Sequence, residues 1–150
     1  MQPSKALNYD FTVAKYFLFT TILFGIIGMT IGVVIAFELA YPDINSVAGE
    51  YSTFSRLRPL HTNGVIYGFM LSGIFSTWYY VGQRVLKVSM AESKFLMFIG
   101  KFHFWLYFIV ILLAVVSLFA GMSTSKEYAE LEWPIDLLVV VVWVLWGISM

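Results

Sequence analysis

The chain has 150 residues, of which 60% are hydrophobic and 12% charged, and its mean hydropathy is +0.83. Soluble domains carry about 25% charged residues, so this composition excludes an ordinary water-facing surface and points to lipid as the solvent, where apolar surface is no liability. Nine basic and nine acidic residues cancel and no cysteine is present, which leaves no basic stripe for nucleic acid and excludes disulfides, Cys-ligated zinc and thiolate-held clusters.

A bilayer core of about 30 Å takes about 20 apolar residues of helix. Four stretches are predicted as spans, at about residues 13–37, 57–81, 95–120 and 134–150. The expected fold is therefore all-α, a polytopic transmembrane helix bundle. The first stretch is too long for the apolar region of a signal peptide, and Glu38 stands where cleavage would want a small residue, so it reads as an uncleaved helix. From Pro134 to Met150 is about 25 Å of helix, with no Lys or Arg after it. The expectation is a fragment of a longer chain. The alternative is a tail helix that ends in the interface.

Orientation follows from the distribution of Lys and Arg. Arg84, Lys87, Lys94 and Lys101 gather between spans two and three, against Glu92. That loop is expected to be cytoplasmic. The loop between spans three and four carries Lys126 against Glu127, Glu130 and Glu132, and is expected to be external. The N-terminus, with Lys5 and Lys15, is then inside. Trp78, Tyr79 and Tyr80 read as interface anchors closing span two, and Trp133 with Pro134 as the opening of span four.

His61 and His103 are the two histidines. An ionisable residue inside a membrane helix is a functional hypothesis by default. On a regular helical period, Arg58, His61, Gly64, Gly68 and Ser72 share a face. From the external end inward that face reads cation, imidazole, two positions without side chains, and a small hydroxyl. It leaves room for a flat group beside an imidazole, with a positive charge at the water side. Haem has that shape: its iron takes a neutral imidazole nitrogen. Arg56 and Arg58 lie on the external side against the positive-inside trend, and anionic propionates would give a reason, since Arg binds carboxylates in bidentate fashion. The competing reading of Gly64 and Gly68 is a GxxxG contact between helices. Gly28 and Gly32 repeat the spacing on span one, with Gly25 on a similar face, and there packing is the favoured reading. His103 reads as an interfacial polar residue. A six-coordinate haem on His61 would need a second ligand from another segment or chain.

The stretch from Arg56 to Asn63, RLRPLHTN, resembles the second-helix motif of the catalytic subunit of cbb3-type haem-copper oxidases. TSKEYAELEWPID, from Thr124 to Asp136, resembles the loop before that family's fourth helix, and Tyr79-Tyr80-Val81 with Gln83-Arg84 resembles its second-helix exit. The resemblance covers nearly the whole chain and matches the N-terminal third of a twelve-helix subunit. It implies a terminal respiratory oxidase that reduces oxygen to water with proton translocation in a bacterial inner membrane. Electrons would come from c-type cytochrome subunits and pass through low-spin haem b to a high-spin haem and copper. It implies that His61 is an axial ligand of the low-spin haem and the metal-binding residue here, that Arg58 meets the propionates, and that Arg56 stands near them. Gly64 replaces an alanine common in relatives and keeps that face small. The copper ligands, the high-spin haem ligand and the second low-spin ligand belong to later helices, so this fragment alone is expected to hold no oxygen-reducing centre.

Two other function classes compete. A nitric oxide reductase-like subunit would share the bis-histidine haem, and the Thr124–Asp136 loop argues against it. A free-standing helical scaffold or small haem carrier would tolerate loss of His61 or find its second ligand elsewhere. The acidic cluster of Glu127, Glu130, Glu132 and Asp136 reads as a solvated loop, with a docking surface or a cation site as the functional alternative.

Overall fold

The computed structural model describes residues 8–45, 49–124, 126 and 128–149. Lys5, Ser125, Glu127 and Met150, which the sequence reading uses, lie outside the described residues. Among the described residues there is no strand, and four long antiparallel helices carry the structure.

Helix α1 is Thr12–Ala40. It is nearly uniformly apolar, and its threonines do not leave a polar group stranded. Thr20, Thr21 and Thr30 return their hydroxyls to the carbonyls of Tyr16, Phe17 and Ile26, four residues back. Asp10 lies just ahead of the helix and its Oδ1 accepts the free Thr12 N–H at 2.8 Å. Pro42 follows the helix and its missing N–H stops propagation.

Helix α2 is one continuous rod in three stretches: Phe54–Asn63 is α-helical, Gly64–Leu71 is a wider π-helix, and Ser72–Leu86 is α-helical again. It is longer at both ends than the span predicted for it. A short turn, Glu50–Ser52, leads into it. Pro59 sits inside the first stretch, and its carbonyl takes a second partner, the Asn63 Nδ2, at 2.8 Å. The rod ends at Lys87, whose φ of 54° breaks the helix.

Helix α3 is Lys94–Ala120. Ser93 caps it, its Oγ accepting the Leu96 N–H at 3.3 Å. Its far end closes on Gly121, at φ 74°, with the Met122 N–H on the Ser117 carbonyl and the Gly121 N–H on the Leu118 carbonyl, a Schellman closure that needs a glycine. Helix α4 is Trp133–Ile148, with Pro134 in its first turn and Asp136 near its positive end. By length and apolarity α1 and α3 each suffice to cross a membrane; α4 is shorter.

Antiparallel order puts Arg84, Lys87 and Lys94 at one end of the bundle, here the basic end, and Glu130, Glu132 and Asp136 at the other, the acidic end. In lipid, association rests on close packing rather than on exclusion of water. The α1–α2 seam shows how. A Cβ on Gly25 would meet the Phe69 ring at 3.0 Å, and one on Gly28 would meet Val65 Cγ2 at 3.2 Å. One on Gly32 would meet the His61 ring at 2.7 Å, and from the other side one on Gly68 would meet Phe24 at 2.9 Å. Glycines on both helices thus bring the backbones together, as expected for span one. Toward the basic end the core is aromatic: Phe17 and Phe75 are fully buried and touch Tyr79, His103 and Tyr107.

Buried Gln83 ties that end. Its Nε2 donates to the carbonyls of Asp10 and Tyr79, each at 2.8 Å, and its Oε1 accepts the Met90 N–H at 3.0 Å. One side chain thereby joins the residues before α1, the end of α2 and the turn before α3.

Candidate functional site

The first stretch of α2 carries Arg56, Arg58, His61 and Asn63 at the acidic end, and the structure sends them in different directions. His61 faces α1. Its Nδ1 is 2.8 Å from the carbonyl oxygen of Gly28. That carbonyl can only accept, so Nδ1 carries a proton, and in the neutral imidazole Nε2 is the nitrogen with the lone pair. Ligating histidines characteristically donate the second ring nitrogen to a carbonyl or carboxylate, which fixes tautomer and ring direction. His61 is half-buried, and Gly32 admits the ring: the nearest atoms to a Cβ there would be His61 Cε1 at 2.7 Å, Nδ1 at 3.2 Å and Nε2 at 3.4 Å.

Arg58 is exposed, one turn from His61 toward the acidic end on the same flank. Arg56 points elsewhere. Its Nη1 would lie 1.3 Å from a Cβ on Gly121, so its guanidinium occupies the space beside the last turn of α3. A cation is favoured at that end of a helix. Asn63, buried below His61, turns to the same side, its Nδ2 donating to Glu130 Oε2 at 3.1 Å. The α3–α4 loop is closed on itself by the Thr124 N–H on the Glu130 carbonyl at 2.8 Å. The His61 turn of α2 is therefore gripped by α1 on one flank and by Gly121 and Glu130 on the other.

The single open face expected along Gly64, Gly68 and Ser72 is corrected. Gly64 does stand open, with nothing within 4 Å of a Cβ. Gly68 is instead filled by Phe24, and Ser72 is fully buried, bonding the Gly68 carbonyl and meeting Tyr107 Oη at 3.2 Å. The physical reason is the π stretch. Its i→i+5 bonding takes up an extra residue per turn, so positions beyond Gly64 rotate off the face that a regular helical period assigns them. The cavities beside Gly64 are small, of about 30 Å³ between α2, α3 and α4 and about 70 Å³ between α1, α2 and α3. Neither is large enough for a porphyrin.

Of the acidic cluster, Glu130 is buried on Asn63, while Glu132 and Asp136 belong to the start of α4. Among the described residues no three His, Asp or Glu groups converge to hold a metal ion.

Tyr79 and His103 turn inward: both are buried within the bundle, His103 completely. Hydrogen-bond directions along their chain are fixed. Ser149 Oγ donates to the Trp146 carbonyl at 2.7 Å, so Tyr79 Oη donates to Ser149 Oγ at 2.9 Å, and His103 Nδ1–H donates to Tyr79 Oη at 2.9 Å. His103 Nε2 is left as a buried acceptor with no partner among the described residues. His103 and Tyr107 are one turn apart, which puts two polar rings on one face of an otherwise apolar helix, and Tyr107 bonds the Tyr67 carbonyl instead.

His61 is thus an imidazole pinned to a backbone carbonyl on a glycine-lined seam between two apolar helices. The family model for cytochrome c and quinol oxidase polypeptide I matches residues 12–150, and the chain belongs to that family, a polytopic helical bundle. It is 43% identical over 148 residues to the cbb3-type cytochrome c oxidase subunit CcoN1 of Stutzerimonas stutzeri, covering 99% of this chain and 30% of that protein. It is 40% identical over 149 residues to cytochrome c oxidase subunit 1 of Rhodobacter capsulatus, covering 99% of this chain and 27% of the relative. A cytochrome c oxidase subunit 1 homolog of Agrobacterium tumefaciens (strain T37) is 37% identical over 142 residues, 95% of this chain and 25% of the relative. The chain thus spans less than a third of the length of these relatives.

Proposed function

We propose that these residues form the N-terminal part of a cbb3-type oxidase catalytic subunit, and that His61 Nε2 is an axial ligand of its low-spin haem b. The observation that carries the reading is the 2.8 Å contact from His61 Nδ1 to the Gly28 carbonyl, which in the neutral imidazole makes Nε2 the nitrogen available to iron. The printed names of the relatives support the oxidase class. Bound haem supplies one-electron transfer at that position. The chain's own residues do the rest: Gly28 holds the tautomer, Gly32 and Gly64 leave space around the ring, and Arg58 offers a cation to a propionate.

On this reading the full subunit takes electrons from c-type cytochrome partners and delivers them through haem b to a high-spin haem and copper held by its later helices. Oxygen is reduced to water with proton translocation across a bacterial inner membrane, and the basic end of the bundle faces the cytoplasm. Arg56 enters as a support for the α3–α4 loop rather than as a propionate ligand, because its guanidinium lies against Gly121.

The test is His61→Ala in the full-length subunit within its complex. The low-spin b-type signal in the reduced-minus-oxidised spectrum should disappear. A variant that assembles and keeps that signal would overturn the ligand assignment.

A further inference from the structure

We propose that Gly32 is a positioning residue for the His61 imidazole: it sets the plane of the ring and keeps the approach to Nε2 clear. The inference rests on the reading of His61 as an axial ligand.

The α1–α2 seam has three glycine rungs, and each meets a different kind of neighbour. Gly25 faces the Phe69 ring, Gly28 faces a Val65 methyl, and Gly32 faces the N–C–N edge of His61. At the first two rungs the bare Cα serves packing alone. At the third, the atom nearest to an added Cβ would be Cε1 at 2.7 Å, and Nε2 would lie 3.4 Å away. A methyl group at residue 32 would therefore push on the carbon between the two nitrogens and stand beside the nitrogen that takes the metal. The ring cannot simply slide away, because Nδ1 is bonded to the Gly28 carbonyl one turn along the same helix. It has to rotate about that bond or break it. Two backbone features of α1, a carbonyl and a bare Cα, thus fix direction and plane together, with no side chain involved. Outer partners of this kind orient the ligand and tune the metal.

Helix propensity separates this role from packing. Alanine is the better helix former at every one of these rungs, so a loss on substitution comes from the contact. The Gly25 rung serves as control, since an added Cβ there meets a ring at 3.0 Å, far from the histidine.

The experiment compares Gly32→Ala and Gly25→Ala in the full-length oxidase. The readouts are the EPR g values of the oxidised low-spin haem, which report the relative planes of the axial ligands, and its midpoint potential. Gly32→Ala should retain haem b and shift both. Gly25→Ala should lower thermal stability and shift neither. Unchanged g values in Gly32→Ala, or equal shifts in both variants, would overturn the proposal. If Gly32→Ala does not assemble, Gly28→Ala takes its place: its Cβ meets Val65, nearest at a methyl 3.2 Å away, and it moves the carbonyl that holds Nδ1. A smaller shift of the same g values is expected, and none would overturn the proposal. His61→Ala separates the two levels. Haem retained in His61→Ala removes the ligand reading itself, whereas haem lost there with unchanged g values in Gly32→Ala removes this inference alone.

Discussion

Nδ1 of His61 lies 2.8 Å from the carbonyl oxygen of Gly28, so the imidazole is anchored by the backbone of the neighbouring helix. No substitution on α1 can delete that acceptor; it can only be moved. The ring direction is therefore as firm as the α1–α2 seam, and the seam is set by glycines on both helices.

The two arginines should separate experimentally. Arg58 shares the flank of His61, and Arg58→Ala should shift the potential of the low-spin haem or weaken its retention. Arg56 lies against Gly121. Arg56→Ala should leave the potential near that of the parent and lower thermal stability by about 0.3–1 kcal/mol, the usual contribution of a cation at a helix C-terminus. Redox titration and thermal denaturation of the two variants decide it, and a potential shift confined to Arg56→Ala would reverse the assignment.

Gly121 should tolerate no side chain. Its φ is 74° and the Arg56 guanidinium fills the Cβ position. Gly121→Ala adds left-handed backbone strain of about 1 kcal/mol or more to displacement of the arginine. Its melting temperature should fall further than that of Arg56→Ala.

The buried hydrogen bond from Asn63 to Glu130 should hold the α3–α4 loop. Glu130→Ala leaves the buried Asn63 amide without that acceptor and should cost about 1–3 kcal/mol. Glu130→Gln keeps an acceptor oxygen and should cost less. Proteolysis of the 121–132 loop reports the difference, and equal cleavage of both variants would show that this bond does not hold the loop.

Tyr79→Phe removes the acceptor of His103 Nδ1–H and the donor to Ser149 Oγ. A buried N–H without a partner costs about 1–3 kcal/mol, which thermal denaturation should show. In the parent, 15N NMR of labelled histidine should find His103 as the Nδ1–H tautomer. The Nε2–H form would contradict the hydrogen-bond directions described.

Asp10 gives a pH dependence with a definite sign. Hydrogen bonding from Thr12, aided by Lys101 and Lys15, holds its carboxyl below the ordinary value of 3.8. A depressed folded-state value means that its contribution is fully present above that ordinary value and is lost as the pH falls through the lowered one. Asp10→Asn should remove this acid step from the stability profile. Asp10→Ala should cost about 1 kcal/mol at neutral pH, as for other side chains that satisfy a free N–H at a helix start.

The sequence by itself determined the solvent, the helical class, the number of long helices and which end carries which charge. These follow from composition and from the length of apolar runs, which are local and additive along the chain. It also singled out His61, because an imidazole among apolar residues is conspicuous without a fold, and it marked the glycines of α1 as a packing face. Tertiary structure decided which way each side chain points. The π stretch of α2 shifts the register past Gly64, so Gly68 and Ser72 leave the face that a regular helical period gives them. Burial of Tyr79 and His103 depends on α1, α2, α3 and the end of α4 meeting at one place, and no single helix encodes that meeting. The Gly28 carbonyl that anchors His61 is a backbone atom, identical in kind at every residue. Only the juxtaposition of two helices, which brings together residues 33 apart in the chain, could single it out.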